Sequence, residues 1–196
     1  MSLIHNYNFK WYHYRDNFLS HEECDTIIKK IDNAEQIWSN SKLEKNVQLD
    51  EPELVEKYWG LFNLVNTLHY QFDITGVQRN CVYGKRYSHE GWTEDEFPHT
   101  DFAAGEDRYV DSTTKFTCVT YLSDGMRGGG LMVGNNVVPV KKGRAVIFPS
   151  FANHKVTQFY DKNRYVLINF AEGNTFKWNI TTILNFQFKY LISFHQ

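Results

Sequence analysis

The stretch FPHTDFAAG, residues 97–105, places His99 and Asp101 on either side of a single threonine, in a run that otherwise reads as loop. Both side chains are potential metal ligands. The competing use is a turn capped by Asp101 with His99 exposed to solvent. A metal site requires a third ligand, and ligands need to converge only in space. His154 meets that need. It lies in FPSFANHKVTQF, after the strand-like run RAVIF and at the start of another β-run, where it can be held rigidly. Two imidazoles and one carboxylate on one face leave three positions of an octahedral ion open, an arrangement that suits non-haem Fe(II) and the activation of oxygen.

Each piece alone is weak. A lone His-x-Asp is more often a turn or an exposed pair than a metal site, and a single histidine is more often a hydrogen-bonded structural residue. Arg164 strengthens the set, because an arginine fork is suited to a dicarboxylate. For Arg164 to serve, the connection after His154 must be wide, pairing Arg164 near Val156. A tight turn at Asp161 to Asn163 would separate them.

The elements that must position these residues divide the chain into helices followed by strands. FLSHEECDTIIKKI carries a capping box, Ser20 with Glu23, and Cys24, Ile27, Ile28 and Ile31 follow at helical spacing. A second helix begins near Asp50-Glu51-Pro52-Glu53 and continues through Leu54, Val55, Tyr58, Leu61, Phe62, Val65 and Leu68. After Gly76 the runs VQRNCVY, KFTCVTYL, LMV, VVPV, RAVIF, HKVTQF and RYVLINF read as short strands between turn residues. The pattern predicts an α+β, mainly β domain: a double-stranded β-helix (jelly roll, cupin-like) buttressed by N-terminal helices. One domain over 1–196 is expected, with helical support at about 16–72 and a β-core at about 74–172.

Composition agrees with a single globular domain. The chain has 196 residues, 42% hydrophobic and 16% aromatic, enough for one substantial core. A net charge of −2 gives no basic face, so nucleic acid is not expected as a partner. Cys24, Cys81 and Cys118 are odd in number and lack C-x-x-C spacing, which reads as buried free thiols in a reducing cytoplasm. The N-terminus is not a secretory signal. ITTILNFQFKYLISF is too short and too interrupted to span a bilayer, so no membrane partner is expected. Gly128 to Gly130 lacks the helix start and lysine of a phosphate loop and reads as a hairpin turn or bulge. His5, His13, His21, His69, His89 and His195 show no ligand spacing.

The ordered set resembles the Fe(II)- and 2-oxoglutarate-dependent dioxygenases, and within them the prolyl 4-hydroxylase-like group. FLSHEECDTII is similar to that group's N-terminal helix, VYGKRY with HTD to its tyrosine-bearing strand and first ligand pair, and FTCVTYLSDGMRGGGLMV to its central strand and glycine-marked hairpin. VPVKKGRAVIFPSFANHKVTQFYDKNRYVL resembles the distal half. The resemblance implies that His99, Asp101 and His154 bind Fe(II), that Arg164 pairs with the far carboxylate of 2-oxoglutarate, and that the Tyr121 hydroxyl adds to that carboxylate. It also implies that Tyr83 lines the cosubstrate pocket. The insert KRYSHEGWTEDEF makes Tyr83 and Tyr87 compete for this role, and leaves the 85–97 segment, with Trp92 and Glu94, as either a substrate lid or a solvated loop.

The activity so implied is hydroxylation of an unactivated carbon with release of succinate and CO2, using O2 and, as an optional reductant, ascorbate. Peptidyl proline is the substrate the resemblance favours. A small-molecule substrate is the alternative, and a non-catalytic jelly-roll binding module or a metal enzyme without 2-oxoglutarate are the rivals. The sequence leaves the physiological substrate and the oligomeric state open.

Overall fold

A computed structural model describes residues 11–37, 43–90, 97–101 and 113–174. In chain order the elements are β1 (His13–Arg15), α1 (His21–Asn33), β2 (Glu44–Leu49), α2 (Pro52–Val65), β3 (Gly76–Val77), β4 (Val82–Tyr87) and β5 (Thr114–Tyr121). They continue as β6 (Arg127–Gly128), β7 (Leu131–Val133), β8 (Asn136–Val138), β9 (Ala145–Pro149), β10 (His154–Val156), β11 (Phe159–Tyr160) and β12 (Arg164–Glu172).

The local signals act as their chemistry dictates. Ser20 Oγ accepts from the Glu23 amide at 3.1 Å, and Glu23 Oε2 accepts from the Ser20 amide at 2.6 Å, so two otherwise orphaned donors at the start of α1 are satisfied. α2 starts on Pro52 and stops at Val65, short of Leu68. A single π-turn, Asn66–Tyr70, ends it, and the Asn66 side chain holds both the amide and the carbonyl of Phe72.

The larger sheet runs β1-β9-β5-β12-β4-β2, with β3 also paired to β12. A three-stranded sheet, β10-β7-β8, and the ribbon β11-β6 face it, giving an open jelly-roll sandwich. Strand alternation sorts the side chains into two cores. Phe116, Cys118, Ile147 and Leu167 join Ile27, Ile31, Tyr58 and Phe62 in the core beneath the helices. Val119, Val146, Phe148 and Val166 point the other way and meet Leu131, Val133, Val156 and Phe159 inside the sandwich. The helices thus buttress the outer face of the larger sheet. Gly84 allows their closest approach, since a Cβ there would lie 2.6 Å from Ile31 Cγ1. Cys24, Cys81 and Cys118 are all free and buried. No described helix is long and apolar enough to cross a membrane.

Two features depart from expectation. β2 carries no strand signature in the sequence yet extends the larger sheet beyond β4 along a six-residue register, Glu44↔Tyr87 through Leu49↔Val82. The runs HKVTQF and RYVLINF also do not form a hairpin. β10 pairs with β7, whereas β12 pairs with β4 and β5 in the opposite sheet. The connection crosses between sheets, with β11 and a left-handed Asp161 (φ 77°) on the way. The condition set on the sequence, that Arg164 pair near Val156, is therefore not how Arg164 reaches the site.

A polar clamp closes the sandwich near the start of α1. Asp16 accepts from Arg144 Nε at 2.6 Å and from Lys141 Nζ at 2.9 Å. The Arg144 and Lys141 hydrogen bonds lower its carboxyl from 3.8 to about 2. A carboxyl depressed on folding adds stability above its unfolded value, and this is lost as pH falls through the folded value. The melting temperature of wild type should accordingly exceed that of Asp16→Asn at pH 5, with the gap closing between pH 4 and pH 2. A constant gap across that window would show that the ion pairs do not carry the effect.

Candidate metal and cosubstrate site

His99 and His154 are brought together by the backbone itself. Each amide donates to the other's carbonyl at 2.9 Å, so the two residues form an isolated antiparallel bridge. Asp101 is anchored two residues on, its amide donating to the Ser150 carbonyl at 3.0 Å. Residues 97–101 therefore run as an extended segment beside β10, and alternation puts His99 and Asp101 on one face. Donor atoms of His99, Asp101 and His154 all lie within 4.8 Å of one another, the one such metal-capable cluster among the described residues.

The ring orientations are set by carbonyls. His154 Nδ1 lies 3.0 Å from the Ala152 carbonyl and His99 Nδ1 lies 3.1 Å from that of Phe97. With each Nδ1 proton donated there, Nε2 of both rings is left as a lone pair aimed at Asp101, 3.2 Å from His154 and 3.8 Å from His99. The Thr117 hydroxyl donates to Asp101 Oδ2 at 2.7 Å and orients the carboxylate. Three electron-pair donors converging on one point repel one another unless a cation sits between them. The donor set of two imidazoles and one carboxylate fits Fe(II) and leaves positions open.

Arg164 supplies the other end. It begins β12 on the face of the larger sheet that looks into the sandwich and is 1% exposed. Nε donates to the Gly129 carbonyl at 3.0 Å, while Nη1 and Nη2 are buried with no hydrogen-bond partner among the described residues. The glycine run thus has a role beyond a turn. Gly128 has φ +78°, and a Cβ there would meet the Gln158 carbonyl at 2.0 Å, so only glycine lets the chain deliver the Gly129 carbonyl to Arg164. A buried guanidinium with two unpaired nitrogens is costly, and an anion fitting its fork removes that cost. Arg164 and the three metal-capable residues line one cavity of about 670 Å3.

The tyrosines sort by register. Tyr87 stands opposite Arg164 in the β4–β12 ladder, with its ring 5.1 Å from the guanidinium carbon. Tyr83 stands opposite Ile168 and lines the same cavity further along the strand. The place beside Arg164 is therefore that of Tyr87. The Tyr121 ring packs 5.4 Å from the guanidinium, but its hydroxyl is already engaged, donating to the Val138 carbonyl at 3.2 Å and accepting from the Leu131 amide at 2.8 Å. It braces β5 against β7 and β8, and to donate to a cosubstrate carboxylate the hydroxyl would have to give up the Val138 carbonyl. Thr117 and Ser150 carry no sequence signal that marks them, and Gly129 was marked only as part of a turn, because each acts through a contact made only on folding. Trp92 and residues 91–96 of the insert lie outside the described residues, as do His5 and His195.

The fold is a jelly-roll sandwich with a His-Asp-His cluster at one point of a cavity and, at another, an arginine whose Nη atoms have no hydrogen-bond partner among the described residues, and residues 85–172 match the model of the 2OG-Fe(II) oxygenase superfamily. Fe(II) and 2-oxoglutarate are the metal and cosubstrate this site is built for. Within that class the fold is similar to that of prolyl hydroxylases. The viral collagen prolyl hydroxylase of Paramecium Bursaria Chlorella virus-1, in complex with 2OG, superposes with a TM-score of 0.65 at 17% identity, over 84% of this chain and 96% of that one. A Pseudomonas putida prolyl-4-hydroxylase gives 0.62 at 13% identity, over 84% and 93%. The Trichoplax adhaerens prolyl hydroxylase, in complex with a hypoxia inducible factor peptide fragment, gives 0.64 at 18% identity, over 85% of each chain. No curated protein sequence matches the chain.

Proposed function

We propose that this protein is an Fe(II)- and 2-oxoglutarate-dependent hydroxylase acting on proline in a peptide. The observation that carries the cosubstrate assignment is Arg164, whose buried Nη1 and Nη2 have no hydrogen-bond partner among the described residues and whose side chain lines the cavity that holds the histidines and Asp101. His99, Asp101 and His154 would hold the metal, and Arg164 the far carboxylate of 2-oxoglutarate beside Tyr87. Bound together, iron and 2-oxoglutarate supply the oxidation of an unactivated C–H bond by O2, with succinate and CO2 released. The chain's own part is positional. The carbonyls of Phe97 and Ala152 fix the histidine tautomers, Thr117 orients Asp101, and Leu131, Val156 and Ile168 give the space between the two ends an apolar, water-excluding lining. Proline in a peptide is supported by the likeness to prolyl hydroxylases, one of them bound to a peptide fragment. Three buried free thiols suit a reducing compartment such as the cytoplasm.

Iron-loaded protein incubated with 2-oxoglutarate and proline-containing peptides should give a product heavier by about 16 Da, matched by one succinate. A small metabolite gaining oxygen in place of every peptide would reassign the substrate. Zn2+ or Ni2+, which bind such donors at least as tightly as Fe2+, should inhibit by occupying the site without redox chemistry. Turnover supported by zinc, or persisting without oxygen, would rule out the oxygenase.

A further inference from the structure

The cavity does not end at Arg164. It continues across the last two strands of the larger sheet, β4 and the edge strand β2, where Glu44, Asn46 and Lys85 line it. Register puts these residues on the face that carries the site: Glu44 lies opposite Tyr87, which lies opposite Arg164, and Asn46 lies opposite Lys85. Lys85 Nζ is 3.1 Å from Glu44 Oε2, with side chains only 13% and 11% exposed, and it sits 4.4 Å from the centre of the Tyr87 ring. Burial pushes the Lys85 ammonium down, but Tyr87 and Glu44 more than offset it and hold it above its usual value, so the ammonium keeps its charge.

Folding alone does not call for such a pair. Apolar side chains of similar volume in its place are commonly neutral or stabilising. The pair is also of no use to the diacid cosubstrate, since Glu44 repels a carboxylate and Arg164 already offers two unpaired donors. Its net charge is zero. It therefore selects against anions and cations alike and suits a neutral ligand that carries a hydrogen-bond acceptor and a donor a few ångströms apart. A peptide backbone has that form, and a cavity of about 670 Å3 leaves ample room beyond a five-carbon diacid.

Resting on the oxygenase reading above, we propose that Glu44 and Lys85 are the specificity-determining pair of this cavity and read the backbone of an extended peptide substrate. Lys85 donates to a peptide carbonyl and Glu44 accepts from a peptide N–H. The residues that choose the substrate thus sit on two strands, β2 and β4, that precede the metal ligands in sequence and contribute nothing to the metal.

The test uses full-length, iron-loaded protein with 2-oxoglutarate under anaerobic conditions, and calorimetry to measure binding of a proline-containing pentapeptide blocked by N-acetyl and C-amide groups. A second set of peptides has single backbone amides replaced by esters, which removes one N–H and weakens one acceptor. In wild type, one ester position near the proline should weaken binding about tenfold. In Glu44→Met/Lys85→Met the all-amide peptide should bind about tenfold more weakly and the ester penalty should vanish, while 2-oxoglutarate affinity changes less than twofold. If the double variant does not fold, Lys85→Gln is measured instead and should reduce the same penalty by at least half. Unchanged peptide affinity, or an ester penalty that persists in full, would overturn the proposal. So would free proline binding in preference to every blocked peptide. A wild type that binds 2-oxoglutarate but no peptide defeats this inference and leaves the oxygenase standing, whereas one that binds no 2-oxoglutarate defeats the oxygenase reading itself.

Discussion

Arg164→Ala should weaken 2-oxoglutarate binding by roughly 150- to 5,000-fold, the equivalent of about 3 to 5 kcal/mol for breaking a buried, charge-assisted contact and leaving a carboxylate unpaired. The expectation rests on a guanidinium that is 1% exposed and has two nitrogens without a partner among the described residues. Arg164→Lys should keep part of the affinity, because the charge survives while the fork is lost. Metal binding by either variant should change little, since Arg164 belongs to a different sheet from His154 and its guanidinium makes no hydrogen bond to the three donors. Titration of 2-oxoglutarate into Fe(II)-loaded protein without oxygen, followed by the metal-to-ligand absorption band, measures this directly. Equal affinity in wild type and Arg164→Ala would remove the residue from the site. The result also bears on stability: Ala at 164 removes an uncompensated buried charge, so the ligand-free variant should melt no lower than other core truncations of similar volume.

His154→Ala should abolish iron-dependent succinate formation, and His99→Ala should do the same, because each removes one of only three protein donors. Both variants should remain folded. His99 is exposed, and the backbone bridge that joins it to His154 is made by amides and carbonyls that alanine retains. The variants should therefore unfold cooperatively near the melting temperature of metal-free wild type. Addition of Fe(II) without oxygen should raise the melting temperature of wild type only, since a ligand stabilises the state that binds it. Loss of cooperative unfolding in both variants would instead make these histidines structural.

Much of this site was legible in the sequence because its residue types are chemically scarce. Few arrangements other than a metal centre use two histidines and an aspartate in that order within β-rich runs, and an arginine in the strand that follows is hard to assign otherwise. The capping box of α1 was equally plain, since Ser20 and Glu23 satisfy each other over three residues without help from the rest of the chain. Local chemistry of this kind is written in local spacing. The helix that stops at Val65 marks the limit, because its apolar pattern continues to Leu68 while the side chain that ends it, Asn66, acts through contacts to Phe72.

What only the tertiary structure decided are the partners each residue meets. β2 escaped a sequence reading because Glu44 and Asn46, which line the cavity, are polar where a strand over a dry core would be apolar, and its apolar residues Val47 and Leu49 pack on the side of the helices. The path from His154 to Arg164 could be read as a hairpin because the turn residues at 161–163 are real, yet the strands on either side belong to opposite sheets. The choice between Tyr83 and Tyr87 was a matter of register, which places Tyr87 and not Tyr83 opposite Arg164. Sequence determined which groups this protein has for binding a metal and a dicarboxylate, since those depend on side-chain chemistry alone. The pairing of strands distant in the chain determined where each group points, since strand order and register are set by the burial of whole sheet faces.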